Sequence, residues 1–384
     1  MSSVGYKCGS SNTIRALTQL GIAALISALP FHGMSHADEP EPASIKVDGM
    51  VRNLVWSPDG RSFAVTNMRI VLVDKRTGEK APFSALRLFD LQKGIEKTTI
   101  SKVKNICGYA FAYSFDGKML AVQQRPSYKN SEEIQIWDLE SGKLNRVIKM
   151  EKNQFAAFSM AFSPDGNQLA ASFRGPPTVA AIAGVNIFDV KTGKIVQTID
   201  GPRSVSIAYS PDSKCLVTGG EQGDRQIRLW DVQSGKLIRW VTILEEGNLL
   251  QSFAFSTDGK TLATADVHNG VRLWNLETGR AKPALANSGD RSTQVAYSRD
   301  GKYLAAKLCV PNKDRYRCEV RVWLADTGRL LDTHIDAAST IAQIEEAVSF
   351  YDLLSIAFTP DDRHIAFLRE DGAVIIKPAR QPDK

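Results

Sequence analysis

Short apolar runs alternate with turn residues along almost the whole chain, and one unit is written seven times. It opens with an apolar run that ends in Ser or Thr and is followed by x-Asp-Gly. The seven copies are LVWSPDG (54–60), FAYSFDG (111–117), MAFSPDG (160–166), IAYSPDS (207–213), FAFSTDG (253–259), VAYSRDG (295–301) and IAFTPDD (356–362). A second apolar run follows each. A third ends in an aromatic, often with Asp behind it: LRLFDL (86–91), IQIWDL (134–139), VNIFDV (185–190), IRLWDV (227–232), VRLWNL (271–276) and VRVWLA (320–325). A Ser/Thr-Gly turn and a fourth apolar run complete the unit. Runs this short, rich in β-branched and aromatic residues and bounded by turn residues, predict antiparallel strands. The Asp-Gly and Ser/Thr-Gly pairs sit where a tight corner needs positive φ. Phe89, Trp137, Phe188, Trp230, Trp274 and Trp323 are expected to pack between neighbouring sheets.

Seven coincident units across residues 43–377 resemble the WD40 β-propeller family. The resemblance implies an all-β fold: a seven-bladed propeller of four-stranded antiparallel blades. Two features depart from the family pattern. The Trp-Asp pair occurs only at 137–138 and 230–231, and the Gly-His dipeptide before the first strand is absent. The buried His-Ser-Asp-Trp network is therefore missing, which leaves apolar and aromatic packing to hold the blades. The last unit supplies only three strands. The orphan run Ala43–Asp48 is expected to serve as the outer strand of blade seven, so that an N-terminal strand closes the ring and removes an open edge.

Repeat lengths are uneven. The extra residues fall between the second and third strands of blades one, two, three and six, and before the first strand of blade seven. In this strand order all of these links emerge on one face. The insertion at 66–84 reads as an extended hairpin. Within Ala337–Leu354, the spacing of Ile341, Ile344 and Val348 predicts one face of a helix. Loops on a rigid scaffold commonly carry function, which makes the elaborated face the expected binding face. Its candidate contact residues are Arg125, Tyr128, Lys129, Arg174, Lys313, Arg315, Tyr316 and Arg317, with solvated loop charge as the alternative.

Composition narrows the class. A chain of 384 residues with 43% hydrophobic and 23% charged positions is neither disordered nor a small disulfide scaffold. Residues 1–37 lack Asp and Glu, carry Lys7 and Arg15 ahead of the apolar run Ala16–Phe31, and end in Ser35-His36-Ala37. This pattern predicts a secretory signal peptide cleaved after Ala37. The apolar run is interrupted by Gln19 and Pro30 and falls short of the roughly 20 residues a spanning helix needs. The expected organisation is a signal peptide (1–37), an acidic linker (38–42) and the propeller (43–384). The mature chain is expected to be periplasmic or extracellular, monomeric and not inserted in a membrane. Cleavage lowers the net charge from +6 to +4, and no nucleic-acid partner is expected.

No HExxH, CxxC, GxSxG or P-loop pattern is present, so neither a catalytic residue, a metal site nor a cofactor is expected. Repetition accounts for the seven turn aspartates. The resemblance implies a non-enzymatic platform that binds a protein or peptide. The alternative is a propeller enzyme or small-molecule binder with its site at the central channel. Among the cysteines, Cys107 and Cys215 are expected to be buried thiols. If Leu304 lies opposite Trp323, as Leu262 lies opposite Trp274, then Cys309 faces Cys318 across the hairpin. In an oxidising compartment that pair is expected to form a disulfide.

Overall fold

The computed structural model describes residues 44–379 apart from 48–49, 59, 73–79, 92, 94, 101–109, 125–132, 151–158, 175–182, 203, 221–223, 225, 243–249, 267–268, 286–289, 313–314, 342–355 and 370–372. Among the described residues there are 28 strands and no helix. They begin with β1 (Ser44–Lys46). Blade one is β2 (Met50–Trp56), β3 (Ser62–Leu72), β4 (Lys80–Asp90) and β5 (Ile95–Ile100). Blade two is β6 (Phe111–Tyr113), β7 (Met119–Gln124), β8 (Glu133–Asp138) and β9 (Leu144–Lys149). Blade three is β10 (Met160–Phe162), β11 (Gln168–Arg174), β12 (Ala183–Asp189) and β13 (Ile195–Asp200). Blade four is β14 (Ser204–Tyr209), β15 (Cys215–Gly220), β16 (Gln226–Asp231) and β17 (Leu237–Thr242). Blade five is β18 (Leu250–Phe255), β19 (Thr261–Asp266), β20 (Gly270–Asn275) and β21 (Arg280–Ala281). Blade six is β22 (Arg291–Tyr297), β23 (Tyr303–Asn312), β24 (Arg315–Leu324) and β25 (Leu330–Ile341). Blade seven is β26 (Ile356–Phe358), β27 (His364–Leu368) and β28 (Ala373–Pro378), with β1 as its fourth strand.

The fold is thus the expected seven-bladed propeller of four-stranded antiparallel sheets. Closure follows the expected route: β1 pairs with β28 through Ser44↔Ile375, Ile45↔Val374 and Lys46↔Ala373. Each blade is a meander entered at its inner strand. Its first and third corners therefore lie on one face of the ring, the turn face. Its second corner and the links between blades lie on the other, the loop face.

Seven apolar clusters fill the seams between blades. Six inner strands spell Ala then aromatic, with Val55 in place of Ala in blade one, and strand alternation sends the two to opposite faces of the sheet. The aromatics Trp56, Tyr113, Phe162, Tyr209, Phe255, Tyr297 and Phe358 pack back against the preceding blade. On the other face a small pair leaves room for the next blade's aromatic, as at Ala112↔Ala121, Ala161↔Ala170, Ala254↔Ala263 and Ala357↔Ala366. The third-strand aromatics join the same seams as expected, with Trp323 only 1% exposed. Two indoles find acceptors in the neighbouring strand: Trp230 Nε1 donates to Thr218 Oγ1 at 2.9 Å and Trp274 Nε1 to Thr264 Oγ1 at 3.1 Å. In blade two Val122 occupies the matching position, and the buried Trp137 Nε1 has no hydrogen-bond partner.

The turn face is uniform because, in blades two to seven, each first corner satisfies itself. In blade two, Ser114 Oγ donates to Asp116 Oδ1 at 2.6 Å and accepts from Met119 N, while Lys118 N donates to the same Asp116 oxygen. The glycines of these corners take positive φ, for example 71° at Gly117. Blades four and seven lack the glycine, and Ser213 (φ 62°) and Asp362 (φ 56°) adopt the same left-handed backbone. Each reaches the preceding blade. Asp165 N donates to Ser213 Oγ at 3.2 Å, and Arg299 N and Asp300 N donate to the Asp362 carboxylate at 2.8 and 2.9 Å.

A left-handed non-glycine residue costs about 1 kcal/mol, whereas a hydrogen bond to a charged group contributes roughly 1.5–3 kcal/mol. Asp362→Gly, which loses two such bonds, is therefore expected to lower stability by about 2 kcal/mol although it relieves strain. Ser213→Gly, which loses one longer neutral bond, is expected to leave stability unchanged or raise it. Thermal unfolding of both variants checks this. Equal shifts would mean that the bonds between corners add nothing.

Candidate functional site

The loop face is built by strands of unequal length. In blade four, β15, β16 and β17 have six residues each. In blade one, β3 and β4 have 11 each, and their ladder continues to Leu72↔Lys80. In blade six, β23 and β24 have ten and β25 has 12, with pairing that reaches Asn312↔Arg315 and Tyr316↔Ile341. Two antiparallel arms thus extend the sheets of blades one and six, the two neighbours of blade seven. The hairpin expected at 66–84 is the blade-one arm.

The helix expected over 337–354 does not begin there, because Ala337–Ile341 belong to β25. The long edge of β24 offers a ladder, and the β-branched Thr340 and Ile341 fit it. Ile344 and Val348 lie outside the described residues.

Of the eight candidate contact residues, Arg125, Tyr128, Lys129 and Lys313 also lie outside the described residues. Arg174 ends β11 in register with Ala183, three blades away from the blade-six arm. Arg315, Tyr316 and Arg317 come together on that arm, opposite Asn312, Pro311 and Val310. Arg317 is ion-paired within its own blade. Its Nε donates to Glu319 Oε1 at 2.9 Å, and its second guanidinium nitrogen contacts the same oxygen.

Glu319, whose side chain is 2% exposed, also accepts from Arg321 Nε at 2.9 Å. Arg321 in turn pairs with Asp290 at 2.8 Å, just before the inner strand. The chain Arg317–Glu319–Arg321–Asp290 carries no net charge and ties the root of the arm to the body of blade six. Three of its members follow each other at period two, which places them on one strand face. That spacing was the available sequence signal. Asp290 is 31 residues from Arg321 and had none.

The chemistry on offer is limited. Among the described residues no group of three or more His, Cys, Asp or Glu is placed to hold a metal ion. On the turn face a shallow open groove of about 380 Å³ between blades four and five is lined by Ser210, Asp212, Cys215 and Asp258. Cys215 is half-buried rather than a core residue, because its place at the start of β15 puts it at the turn face. Burial and the nearby Asp212 and Asp231 carboxylates push its thiol pKa up, which makes it a weak nucleophile. Cys309 and Cys318 are direct partners in the β23–β24 register, and their thiol sulfurs stand 3.8 Å apart.

Comparison with known proteins bears on the repeat itself. Residues 193–231 and 243–275 match the family described as WD domain, G-beta repeat. By sequence, these are WD40-like repeats. The chain is similar to WD repeat-containing protein SL1-17 of Schistosoma mansoni, 26% identical over 172 residues covering 44% of this chain and 53% of that one. It is also similar to an uncharacterised WD repeat-containing protein, sll1491, of Synechocystis sp., at 30% identity over 183 residues covering 45% and 47%. Autophagy-related protein 16 of Arabidopsis thaliana is 26% identical over 170 residues covering 42% and 33%. The chain therefore spans from a third to about half of the length of these relatives.

Proposed function

We propose that this chain is an exported interaction platform that holds a protein or peptide partner on its loop face, between the arms of blades one and six. The observation that carries the reading is the contrast between faces. The turn-face corners repeat one self-satisfied geometry, while among the described residues the longest strands extend on the opposite face as two arms beside blade seven. Similarity to WD repeat-containing proteins supports a repeat scaffold rather than a particular partner.

The test is affinity capture from envelope extract with three baits: the intact chain, a variant with residues 70–82 replaced by a two-residue turn, and a variant with residues 311–316 so replaced. A partner captured by the intact chain and lost from either trimmed form supports the reading. Retention by both trimmed forms, with loss on altering turn-face lysines such as Lys191 and Lys236, would move the site to the other face. N-terminal sequencing of the mature chain tests export, with Asp38 the expected first residue.

A further inference from the structure

The seam between blades six and seven is chemically unlike the others. Lys377 pairs with Ile365 at the position where the other blades place Phe or Trp. Facing it, His334 takes the outer-strand site that blades two, three and four give to Ile148, Ile199 and Val241. Lys307, 1% exposed, donates from Nζ to the Leu368 carbonyl of blade seven at 2.9 Å. Strand alternation places Cys309 on the same sheet face as Lys307 and Ala305, and Cys318 on the same face as Val320 and Val322. Ala305, Val320 and Val322 pack against blade seven. The two cysteines, 7% and 0% exposed, therefore belong to the face that blade seven covers.

We infer that Cys309 and Cys318 form a disulfide at the root of the blade-six arm, and that the bond is made before blade seven docks and is sealed afterwards. Directly opposed residues in an antiparallel pair have Cα atoms about 4.5–5.5 Å apart, inside the window a disulfide spans. The thiols are already 3.8 Å apart, so closing the bond needs rotation of the side chains and no change of register.

The oxidant is a small-molecule disulfide such as glutathione disulfide. One cysteine thiolate attacks a glutathione sulfur and releases one glutathione. The second thiolate then attacks the protein sulfur of the mixed disulfide and releases the other. The two protein thiols are oxidised, the glutathione disulfide is reduced, and the two thiol protons end on the two glutathiones. The mixed intermediate needs room for a tripeptide at a sulfur that the folded ring buries. Blade seven is last in the chain, so that room exists while the ring is still open.

Tryptic mapping reads the outcome. Cleavage after Lys307, Lys313, Arg317 and Arg321 isolates Leu308–Lys313 and Cys318–Arg321, so a disulfide appears as one linked pair, separate from the peptides of Cys107 and Cys215. The chain refolded with glutathione and its disulfide is expected to yield the linked pair. A chain folded under reducing conditions and only then exposed to the same buffer should acquire it at least roughly a hundredfold more slowly than the denatured chain, because exchange waits on opening of the seam. Mapping of material made in an oxidising compartment gives the same reading without refolding. Absence of the linked pair from both oxidised preparations would overturn the disulfide. Equal oxidation rates for the folded and denatured chains would overturn its sealing by blade seven.

Discussion

Deleting residues 43–48 is expected to destabilise the whole protein by roughly 5 kcal/mol or more, enough to unfold it or nearly so. The deletion removes the outer strand of blade seven and with it the link that joins the two ends of the chain into a ring. Ile45 and Val47 are 8% and 2% exposed. They share a cluster with Leu54, Trp56, Phe63 and Phe89 of blade one and Leu368 and Val374 of blade seven. Losing a buried aliphatic side chain costs about 2–5 kcal/mol where the surroundings cannot collapse, and here two are lost together with a ladder. The exposed edge of β28 would then invite pairing with another chain. Deletion of 38–42 is the control and is expected to leave the unfolding midpoint unchanged. Urea unfolding of the two truncations decides: equal midpoints would place ring closure elsewhere.

The parts of this fold that were legible in the sequence are those in which local chemistry and global position coincide. Positive φ at a tight corner demands glycine or a substitute, so the corners announce themselves at Gly117, Gly166 and Gly259. A seam demands an aromatic opposite a small pair, so the strands announce themselves too. The Cys309↔Cys318 register followed from aligning blade six on blade five, Leu304 opposite Trp323 as Leu262 is opposite Trp274. The misreadings have the opposite character. The helix expected over 337–354 rested on Ile341, Ile344 and Val348, but the open edge of β24 draws Ala337–Ile341 into β25, and that edge is a tertiary fact. Asp290 and Arg321 meet only because the link from blade five delivers Asp290 beside blade six. The roles of Ser213 and Asp362 depend on which corner lies alongside, which no single repeat encodes. For the candidate site, the sequence located the elaborated face but not the ion-paired chain that anchors one of its arms.

Acid is expected to unfold this protein for a reason rooted in its turns, and to do so in high salt as well as low. Nine turn-face aspartates, at 116, 138, 165, 189, 212, 231, 258, 300 and 361, have pKa values below the ordinary carboxylate value. At Asp138, Asp189, Asp212, Asp231 and Asp258 the leading cause is a hydroxyl donated by a neighbouring Ser or Thr. At Asp116, Asp165, Asp300 and Asp361 burial is the largest single effect and acts upward, but hydrogen bonds from hydroxyls and backbone amides outweigh it.

The sign follows from linkage. A carboxylate whose folded pKa lies below its unfolded value of about 3.9 contributes stability that is present above that value and is lost as pH falls through the folded pKa. His334 adds an earlier loss in the same direction. Burial, opposed by Asp332 at 3.7 Å, holds its pKa below the ordinary imidazole value, so the unfolded chain takes up that proton first as pH falls below about 6.5. Stability measured by urea unfolding should therefore decline gently from pH 6.5 and steeply below pH 4. Repulsion among the 48 Lys and Arg side chains would also favour acid unfolding, but salt screens it. Hydrogen bonds within one turn are far less sensitive to salt. If the steep limb below pH 4 persists in about 0.5 M salt, the turns are its cause. In that case Ser163→Ala, which removes the hydroxyl held 2.5 Å from Asp165, should cost stability at pH 7 and cost progressively less as pH falls. If salt abolishes the steep limb, net positive charge is the cause and the turn aspartates contribute little to it.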